Sequence, residues 1–378
     1  MKYKLEDIFD LQMGKTPSRN NPEYWQTIDN KWISIGDLSQ TGKYICETKE
    51  YISDDAVKDS GIRIIPANTV VMSFKLSIGK TAIALEDMYS NEAIMAFHDK
   101  KVVEVLPEYI YYMFKYRDWN VGTNKAVMGK TLNKATLLQI EVDICDINKQ
   151  REIVKILDKV SCVLAGRTEE LEKLDTLIKA RFVEMFGNCK DLKSMNELCS
   201  IITDGTHQPP KFREVGIPFI FVSNLVNNTV TYNAEKFISE ETYDELYKRT
   251  PIEIGDLLLS TVGSYGHPAV VTEDKKFLFQ RHIAYLKPKR DIVNSYYLHS
   301  ALLAPDGQRQ IEEKVKGIAQ KTLNLSEIRK IMIPIPDIEE QNEFEQFVKQ
   351  VDKSKVVVQK ALDEAQLLFD SLMQEYFG

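Results

Sequence analysis

Lys130-Thr131-Leu132-Asn133 recurs as Lys321-Thr322-Leu323-Asn324, 191 positions further along the chain. The same register continues without a gap to Gly378, with 16 identities in 58 aligned positions. Unrelated sequences of average composition would share roughly three or four. The chain is therefore an internal duplication, made of copy 1 (residues 1–187) and copy 2 (residues 188–378).

Each copy consists of a front (residues 1–147 or 188–337) and a back (residues 148–187 or 338–378). The sequence of the front has diverged further between the copies than that of the back. An offset near 187 aligns Trp32–Leu38 with Phe219–Leu225, and Val70–Ser73 with Leu257–Ser260. The second pair are short apolar runs that follow turn-forming residues, a pattern that predicts β-strands. The fronts are thus predicted to be mixed β-structure with short helices.

The back of each copy predicts one long helix. Apolar residues recur at three-and-four spacing over residues 149–186 and 340–377, and neither run contains a proline. Each helix would extend roughly 55 Å at 1.5 Å per residue. An apolar seam of that length must be covered, and the expected cover is the helix of the other copy, in a parallel or antiparallel coiled pair.

Together these patterns predict an α+β protein built from two tandem mixed α/β domains and two long helices. The predicted domains are residues 1–147 and 188–337. The predicted helical segments are residues 148–187 and 338–378.

The charge of the chain is uneven. The net charge is −7, which argues mildly against non-specific coating of nucleic acid. Residues 338–378 alone carry −5, so a basic face elsewhere is compatible with the total. We expect this acidic last helix to face partner subunits or solvent, since its carboxylates are poorly suited to lie against phosphates.

Cysteine usage and hydropathy indicate a cytoplasmic protein. The five cysteines are scattered, with no Cys-x-x-Cys pair that would suggest a zinc site or a disulfide framework. No stretch approaches the roughly 18 to 20 apolar residues of a membrane span, and the first residues lack an apolar signal core.

The usual motifs of enzymes are missing from the sequence. Gly-Lys-Thr occurs at residues 14–16, 79–81 and 129–131, but each triplet lacks the earlier glycine of a phosphate-binding loop. The five histidines show no metal-ligand spacing, and no glycine-rich loop for S-adenosylmethionine follows a strand. We therefore predict no catalytic residue and no metal site, and favour a binding protein over an enzyme.

One acidic array keeps an enzyme-class alternative open. Asp256, followed by Glu273 and Lys275, loosely resembles the acid–acid–lysine array of a metal-dependent nuclease. The simpler interpretation is a turn between strands plus a solvated run of charges.

Two matching loops are the first candidate DNA-binding surface. Residues 73–80 and 260–267 place polar and aromatic side chains around glycines, where a backbone can approach a ligand closely. The positions match while the side chains differ, as expected if two modules read different base edges. An ordinary hairpin loop is the alternative for any one of these residues. The candidates are Lys75, Ser77 and Lys80 in copy 1, and Ser264, Tyr265 and His267 in copy 2.

The repeated tetrapeptide supplies the second candidate surface. Lys130 and Thr131, and their equivalents Lys321 and Thr322, would suit phosphate contacts that set register without reading sequence. A solvated loop is the alternative. Arg281, within Gln280-Arg281-His282, is a lesser candidate.

This arrangement resembles the specificity subunit of type I DNA restriction–modification systems, over the whole chain. The resemblance is carried by the paired Lys-Thr-Leu-Asn segments, the run Ile333–Gln341, the long helices after them, and the Phe-Gly ends of both copies. Copy 1 departs from the Pro-x-Pro-x-x-x-x-Gln element of Ile333–Gln341, because Asp143 and Cys145 replace the prolines, while Gln150 is retained.

The resemblance implies two target recognition domains separated by an antiparallel coiled pair of helices. Each domain would read one half of a split, asymmetric site in double-stranded DNA. The chain itself would hold no catalytic centre and no cofactor. Two adenine methyltransferase subunits, which bind S-adenosylmethionine, would dock on it, and restriction subunits that translocate DNA with ATP and Mg²⁺ would join for cleavage.

Other functions fit the same sequence. The chain could serve a methyltransferase of another restriction type, which differs only in the partner. The enzyme-class alternative is the hypothesis that the chain is a metal-dependent nuclease that uses Asp256. A coiled-coil scaffold without DNA contact is a third.

Overall fold

A computed structural model describes residues 1–75, 77–119, 124–126, 129–317 and 321–378, with the backbone alone at residues 124–126, 129–131 and 226. The chain divides into two compact units. Unit 1 consists of Met1–Gly166 and Ala361–Gly378, and unit 2 of Arg167–Lys360. Each unit therefore contains one front and pieces of both long backs. The predicted domain boundaries, which leave the helices out, stay a prediction.

Copy 1 begins with short strands and helices and ends in a long helix. Its strands are β1 (Lys2–Lys4), β2 (Phe9–Met13), β3 (Asn30–Ile33), β4 (Tyr44–Ile45), β5 (Glu50–Ile52), β6 (Val70–Ser73), β7 (Thr81–Ala84), β8 (Tyr89–Ser90), β9 (Ile94–Asp99), β10 (Asn124–Ala126), β11 (Gly129–Thr131) and β12 (Glu141–Asp143). Its helices are α1 (Leu5–Ile8), α2 (Ile35–Gln40), α3 (Asp54–Ser60), α4 (Pro107–Tyr116), α5 (Lys134–Leu138) and α6 (Ile147–Phe186).

Copy 2 largely repeats this order, with a helix at Pro305–Lys314 in place of the strands β10 and β11. Its strands are β13 (Leu192–Ser194), β14 (Cys199–Asp204), β15 (Ile217–Ile220), β16 (Leu225–Val226), β17 (Thr229–Val230), β18 (Lys236–Ile238), β19 (Leu257–Ser260), β20 (Pro268–Val270), β21 (Leu278–Phe279), β22 (Ile283–Pro288) and β23 (Met332–Pro334). Its helices are α7 (Met195–Leu198), α8 (Glu240–Tyr247), α9 (Ser295–Leu303), α10 (Pro305–Lys314), α11 (Leu325–Ile328) and α12 (Ile338–Phe377).

The two fronts share one sheet topology. The main sheet has the order β2-β9-β6-β7-β4 in copy 1, and β14-β22-β19-β20-β17-β16 in copy 2. The smaller sheets are β5-β3-β8 and β18-β15-β21. In both, the middle strand pairs antiparallel with its first neighbour and parallel with the second. The faint sequence match between the fronts thus marks a structural repeat, to which copy 2 adds the edge strand β16.

The strands that the sequence predicted lie at the centre of these sheets. All residues of β6 and β19 are buried, so the near-continuous apolar runs reflect packing on both faces. Each sheet packs against the helix that follows it along the chain, α4 or α9. The N-terminus of α9 is capped by Asn294, whose side chain accepts from the backbone N–H groups of Tyr296 and Tyr297.

The two long helices, α6 and α12, are 40 residues each. In unit 1 the start of α6 packs against the end of α12, with Leu157 and Phe369 in one core cluster. In unit 2 the end of α6 packs against the start of α12, where the rings of Phe182 and Phe344 lie 5.6 Å apart. Because the start of one helix meets the end of the other in both units, the pairing is antiparallel.

Phenylalanines at the ends of both helices contact the fronts. Phe377 packs on Tyr109 with ring centroids 5.3 Å apart, and Phe186 packs on Tyr297 at 4.9 Å. Each copy therefore ends on the front of the other copy. The repeated Phe-Gly ends are explained by this exchange.

A fully buried glutamine joins each long helix to the helix of its own front. Gln341 accepts from the backbone N–H of Asn294 at 2.9 Å, and donates to the carbonyl oxygens of Pro336 at 2.9 Å and Ile292 at 3.2 Å. Gln150 makes the equivalent bonds to Leu106 N, Glu104 O and Cys145 O, each at 2.9 Å. The retention of this glutamine in both copies is explained by its bonds, since one buried side chain satisfies three backbone groups.

None of the helices in the described part of the chain combines the length and the apolar character that a membrane crossing needs.

Candidate nucleic-acid interface

The two candidate loops are the same hairpin. The buried hydroxyl of Ser260 accepts from the backbone N–H of His267 at 3.0 Å, and Ser260 N donates to His267 O at 3.1 Å. Ser73 makes the matching bonds with Lys80, at 3.0 and 2.9 Å. A serine at the end of the central strand therefore fixes the base of the loop in both copies, which leaves the loop side chains free to differ.

One glycine in each hairpin has a structural reason. Gly79 and Gly266 have φ of +87° and +79°, a conformation that other residues rarely adopt. A Cβ would also lie 2.8 Å from Cδ1 of Trp119 in the first case, and 3.0 Å from Cγ2 of Ile311 in the second. These glycines seat the hairpin on the core.

The repeated tetrapeptide runs beside the hairpin. Leu323 donates its backbone N–H to the carbonyl of Thr261 at 2.8 Å, and Leu132 donates to Phe74 at 3.0 Å. In both copies the lysine and threonine just before the leucine are thereby brought next to the loop. The structure thus joins two surfaces that sequence reasoning had named separately.

In copy 2 several candidates form one polar cluster. Lys321 Nζ lies 2.7 Å from Glu312 and 3.2 Å from the hydroxyl of Tyr265, which itself donates to Glu312. The hydrogen bond with Glu312 raises the pKa of Lys321. Ser264 and His267 are exposed on the same hairpin. These side chains are available to a ligand, with Glu312 holding the lysine in place.

Arg281 and Thr322 line an open cleft of about 270 Å³ next to this cluster. His282 lines the cleft as well, and burial together with the charge of Arg281 lowers the pKa of this histidine. The backbone N–H of Thr261 donates to His282 at 2.9 Å, which ties the cleft to the hairpin. The lesser candidate Arg281 therefore belongs to the same surface as the others.

The copy 1 surface carries different side chains. Ser77 and Lys80 are exposed, and the Lys75 ammonium lies 5.1 Å from the centroid of the Phe74 ring. Lys130 and Thr131 belong to β11, which pairs antiparallel with β10. Their side chains, and Leu76 in the hairpin, lie outside the described residues.

Sequence reasoning missed two side chains that bond to Asp204, a residue that lines the cleft. Asp204, the last residue of β14, lies 2.7 Å from a guanidinium nitrogen of Arg249 and 2.9 Å from Nε2 of His207. Arg249 is 45 residues away along the chain. No spacing rule predicts such a pairing.

Asp256, the centre of the nuclease alternative, is fully buried. It accepts from the hydroxyl of Tyr285 at 2.8 Å and from the backbone N–H of Glu253 at 2.9 Å, and lies 3.3 Å from Lys287. Glu273 and Lys275 instead form an exposed ion pair of 2.6 Å. The described residues contain no cluster of metal-ligating side chains. Asp256 is therefore bound into the core of the domain.

The model of the type I restriction modification DNA specificity domain family matches residues 1–173 and 190–365. The chain belongs to this family. It carries the domain twice, in agreement with the internal duplication, and the resemblance drawn from the repeated motifs is confirmed.

Named relatives agree with this assignment. The chain is 23% identical over 397 residues to the type I restriction enzyme MjaIX specificity subunit of Methanocaldococcus jannaschii, which covers 98% of this chain and 90% of the relative. It is 31% identical over 205 residues to the EcoBI specificity subunit of Escherichia coli, covering 54% of this chain and 42% of that protein.

Solved structures show the same fold. The S subunit of a type I restriction-modification system from M. genitalium superposes with a TM-score of 0.55 at 14% identity, over 100% of this chain and 96% of the other. A structure from a study of complex assembly in the type I restriction-modification system gives 0.58 at 15% identity, over 100% and 97%. The predicted fold class, tandem mixed α/β domains with long antiparallel helices, is confirmed.

Proposed function

We propose that this chain is the non-catalytic DNA-recognition subunit of a cytoplasmic type I restriction–modification complex, in which each recognition domain reads one half of a bipartite, asymmetric site. The observation that carries the proposal is the repeated surface. In both copies a serine-closed hairpin and a Lys-Thr-Leu-Asn segment are hydrogen-bonded to each other on the same scaffold.

Different side chains on this common surface account for different half-sites. Copy 1 presents Lys75, Ser77 and Lys80, whereas copy 2 presents Ser264, Tyr265 and His267. Hydrogen-bonding side chains on matched frames can read different base edges without a change in the frame. Two recognition domains with different side chains would recognise two different half-sites, so the whole DNA site would be asymmetric.

The repeated lysine and threonine suit contacts to the phosphate backbone. Lys321 is exposed, and its ammonium group is held by Glu312 and Tyr265 at the edge of the cleft. A fixed cation beside a polar hydroxyl contributes affinity and register without reading sequence. Lys130 and Thr131 would play the same part in copy 1.

The long helices are the proposed docking site for two adenine methyltransferase subunits. Three large apolar side chains of α12 are 69–71% exposed: Val356, Val357 and Leu367. Exposed apolar surface of this kind is typical of a site where another protein binds. The net charge of −5 over residues 338–378 keeps this helix away from phosphates. S-adenosylmethionine would be bound by those partners, and ATP and Mg²⁺ by the restriction subunits. The chain itself would bind no cofactor.

The test is a map of methylated adenine across the host genome, with and without this gene, by single-molecule sequencing. The proposal predicts that deletion removes methylation at a split motif, two short specified halves around a fixed gap, and that the gene supplied in trans restores it. Unchanged methylation on deletion, in cells where the partner methyltransferase is expressed, would contradict the proposal.

A further inference from the structure

Arg249 is an exposed arginine held by a carboxylate. One of its guanidinium nitrogens donates to Oδ1 of Asp204 at 2.7 Å, and 49% of the Arg249 side chain is exposed. The other oxygen of Asp204, Oδ2, lies 2.9 Å from Nε2 of His207. Asp204 is itself only 15% exposed, so it is a firm anchor shared by two side chains that reach the surface.

This group lies at the candidate DNA surface of copy 2. Asp204 lines the same cleft as Arg281, His282 and Thr322. The backbone N–H of Arg281 donates to the carbonyl of Thr206, two residues after Asp204, at 3.1 Å. DNA that occupied the cleft would therefore meet Arg249 at its rim.

The chemistry of a held guanidinium selects one base. An arginine has five N–H donors in a planar fork, and the bond to Asp204 uses one of them. The remaining donors match the O6 and N7 acceptors that guanine presents in the major groove. Holding the fork before DNA arrives reduces the rotamer entropy lost on binding.

Copy 1 lacks the anchor. Gly14 and Gly205 are structurally equivalent, since each donates its backbone N–H to the first residue of the returning strand, Ile94 at 3.1 Å and Ile283 at 3.2 Å. The residue before Gly14 is Met13, where copy 2 has Asp204. The arrangement is therefore a feature of the second reader and not of the shared frame.

We propose that Arg249 reads a guanine in the half-site recognised by copy 2, with Asp204 as its positioning residue. This inference rests on the proposed function and adds the base and the residue that reads it. His207 shares the Asp204 anchor with Arg249.

The test uses the full chain in complex with its methyltransferase partner, on duplexes that carry the mapped site. Each guanine of the copy 2 half is replaced in turn by 7-deazaguanine, which lacks the N7 acceptor. We expect the wild-type complex to lose roughly tenfold or more in affinity at one position. Arg249→Ala should bind the normal duplex more weakly and be insensitive to the replacement at that position.

Two further variants separate reading from folding and from general charge. Asp204→Asn should reduce the 7-deazaguanine effect at the same position, whereas damage to folding alone would weaken every duplex equally. Lys248→Ala, which removes the exposed cation next to Arg249, should leave the effect intact. Equal sensitivity of the wild-type and Arg249→Ala complexes at every guanine would overturn the inference, as would a copy 2 half-site without a G·C pair.

Failure of the inference and failure of the proposed function give different results. If the wild-type complex recognises a split site and Arg249→Ala recognises it with the same base preference, only the inference fails. If the wild-type complex recognises no split site, the proposed function fails with it.

Discussion

Replacing Gln341 by leucine should destabilise unit 2 by about 3 kcal/mol. The side chain is fully buried and bonds one backbone N–H and two carbonyl oxygens. Leaving a buried polar group without a partner costs about 1–3 kcal/mol. At about 1–2 kcal/mol for each group, the three groups together cost roughly 3–6 kcal/mol. The greater apolar burial of leucine returns about 1–2 kcal/mol.

Thermal unfolding followed by far-ultraviolet circular dichroism measures this effect. For a unit the size of Arg167–Lys360, about 3 kcal/mol corresponds to a fall in melting temperature of roughly 6–12 °C. Gln150→Leu is the matched variant in unit 1. Because Trp25, Trp32 and Trp119 all lie in unit 1, tryptophan fluorescence should report the unfolding of unit 1 in Gln150→Leu.

Gln350→Leu provides the control, because Gln350 is an exposed glutamine on the same long helix as Gln341. Its stability should stay within about 0.5 kcal/mol of wild type. If Gln341→Leu and Gln150→Leu both behave like this control, the buried glutamines do not hold the helices to the fronts, and the explanation of their retention is wrong.

Three other predictions concern packing, pH and thiol chemistry. Phe344→Ala should lower the free energy of unfolding by about 3–5 kcal/mol, because it leaves a cavity at a fully buried site between the long helices. Leu367→Ala, at a 71% exposed position, should lower it little. Equal midpoints of urea unfolding for the two variants would contradict the antiparallel pairing. Burial lowers the pKa of His299 from 6.5 to about 4. Between these two pH values the unfolded chain therefore binds more protons than the folded chain. The stability that this histidine contributes above pH 6.5 should be lost as the pH falls toward 4. His299→Gln should flatten this slope of melting temperature against pH, and an unchanged slope would show that another group is responsible. Burial raises the pKa of Cys199 to about 12, so a thiol reagent at pH 8 should modify the exposed Cys46 and Cys162 first, as read by mass spectrometry of peptides; early labelling of Cys199 in the folded protein would contradict its placement.

The long helices could be predicted from sequence because their signal is local. Apolar residues at three-and-four spacing over 38 positions identify α6 and α12 to within two residues at each end. Their antiparallel pairing could not be derived from the spacing, which fits either direction. It depends on contacts such as Tyr109 with Phe377, whose residues lie at opposite ends of the sequence.

The fronts show the opposite situation. Their main sheets share the order of five strands, yet little sequence identity survives, because burial constrains apolar character more than residue type. The role of Gln341 was hidden for a related reason. Its identity in both copies was visible, but its partner Asn294 lies 47 residues earlier.

The candidate site was predicted in part. Matched positions and differing side chains pointed to the hairpins, and the structure places Lys321, Thr322 and Arg281 beside the copy 2 hairpin. The pair of Asp204 with Arg249 could not be found, because it joins the end of a strand to the second residue after a distant helix. Long-range pairs of this kind leave no periodic pattern in a single sequence.

The proposed function requires that two independent recognition domains share one scaffold. Replacing residues 1–147 by the corresponding front of a relative, followed by a map of methylated adenine in the host, tests it most directly. We expect one half of the split motif to change while the other half and its guanine are kept. Alteration of both halves, or of neither in a complex that still methylates DNA, would show that the two domains do not recognise DNA independently.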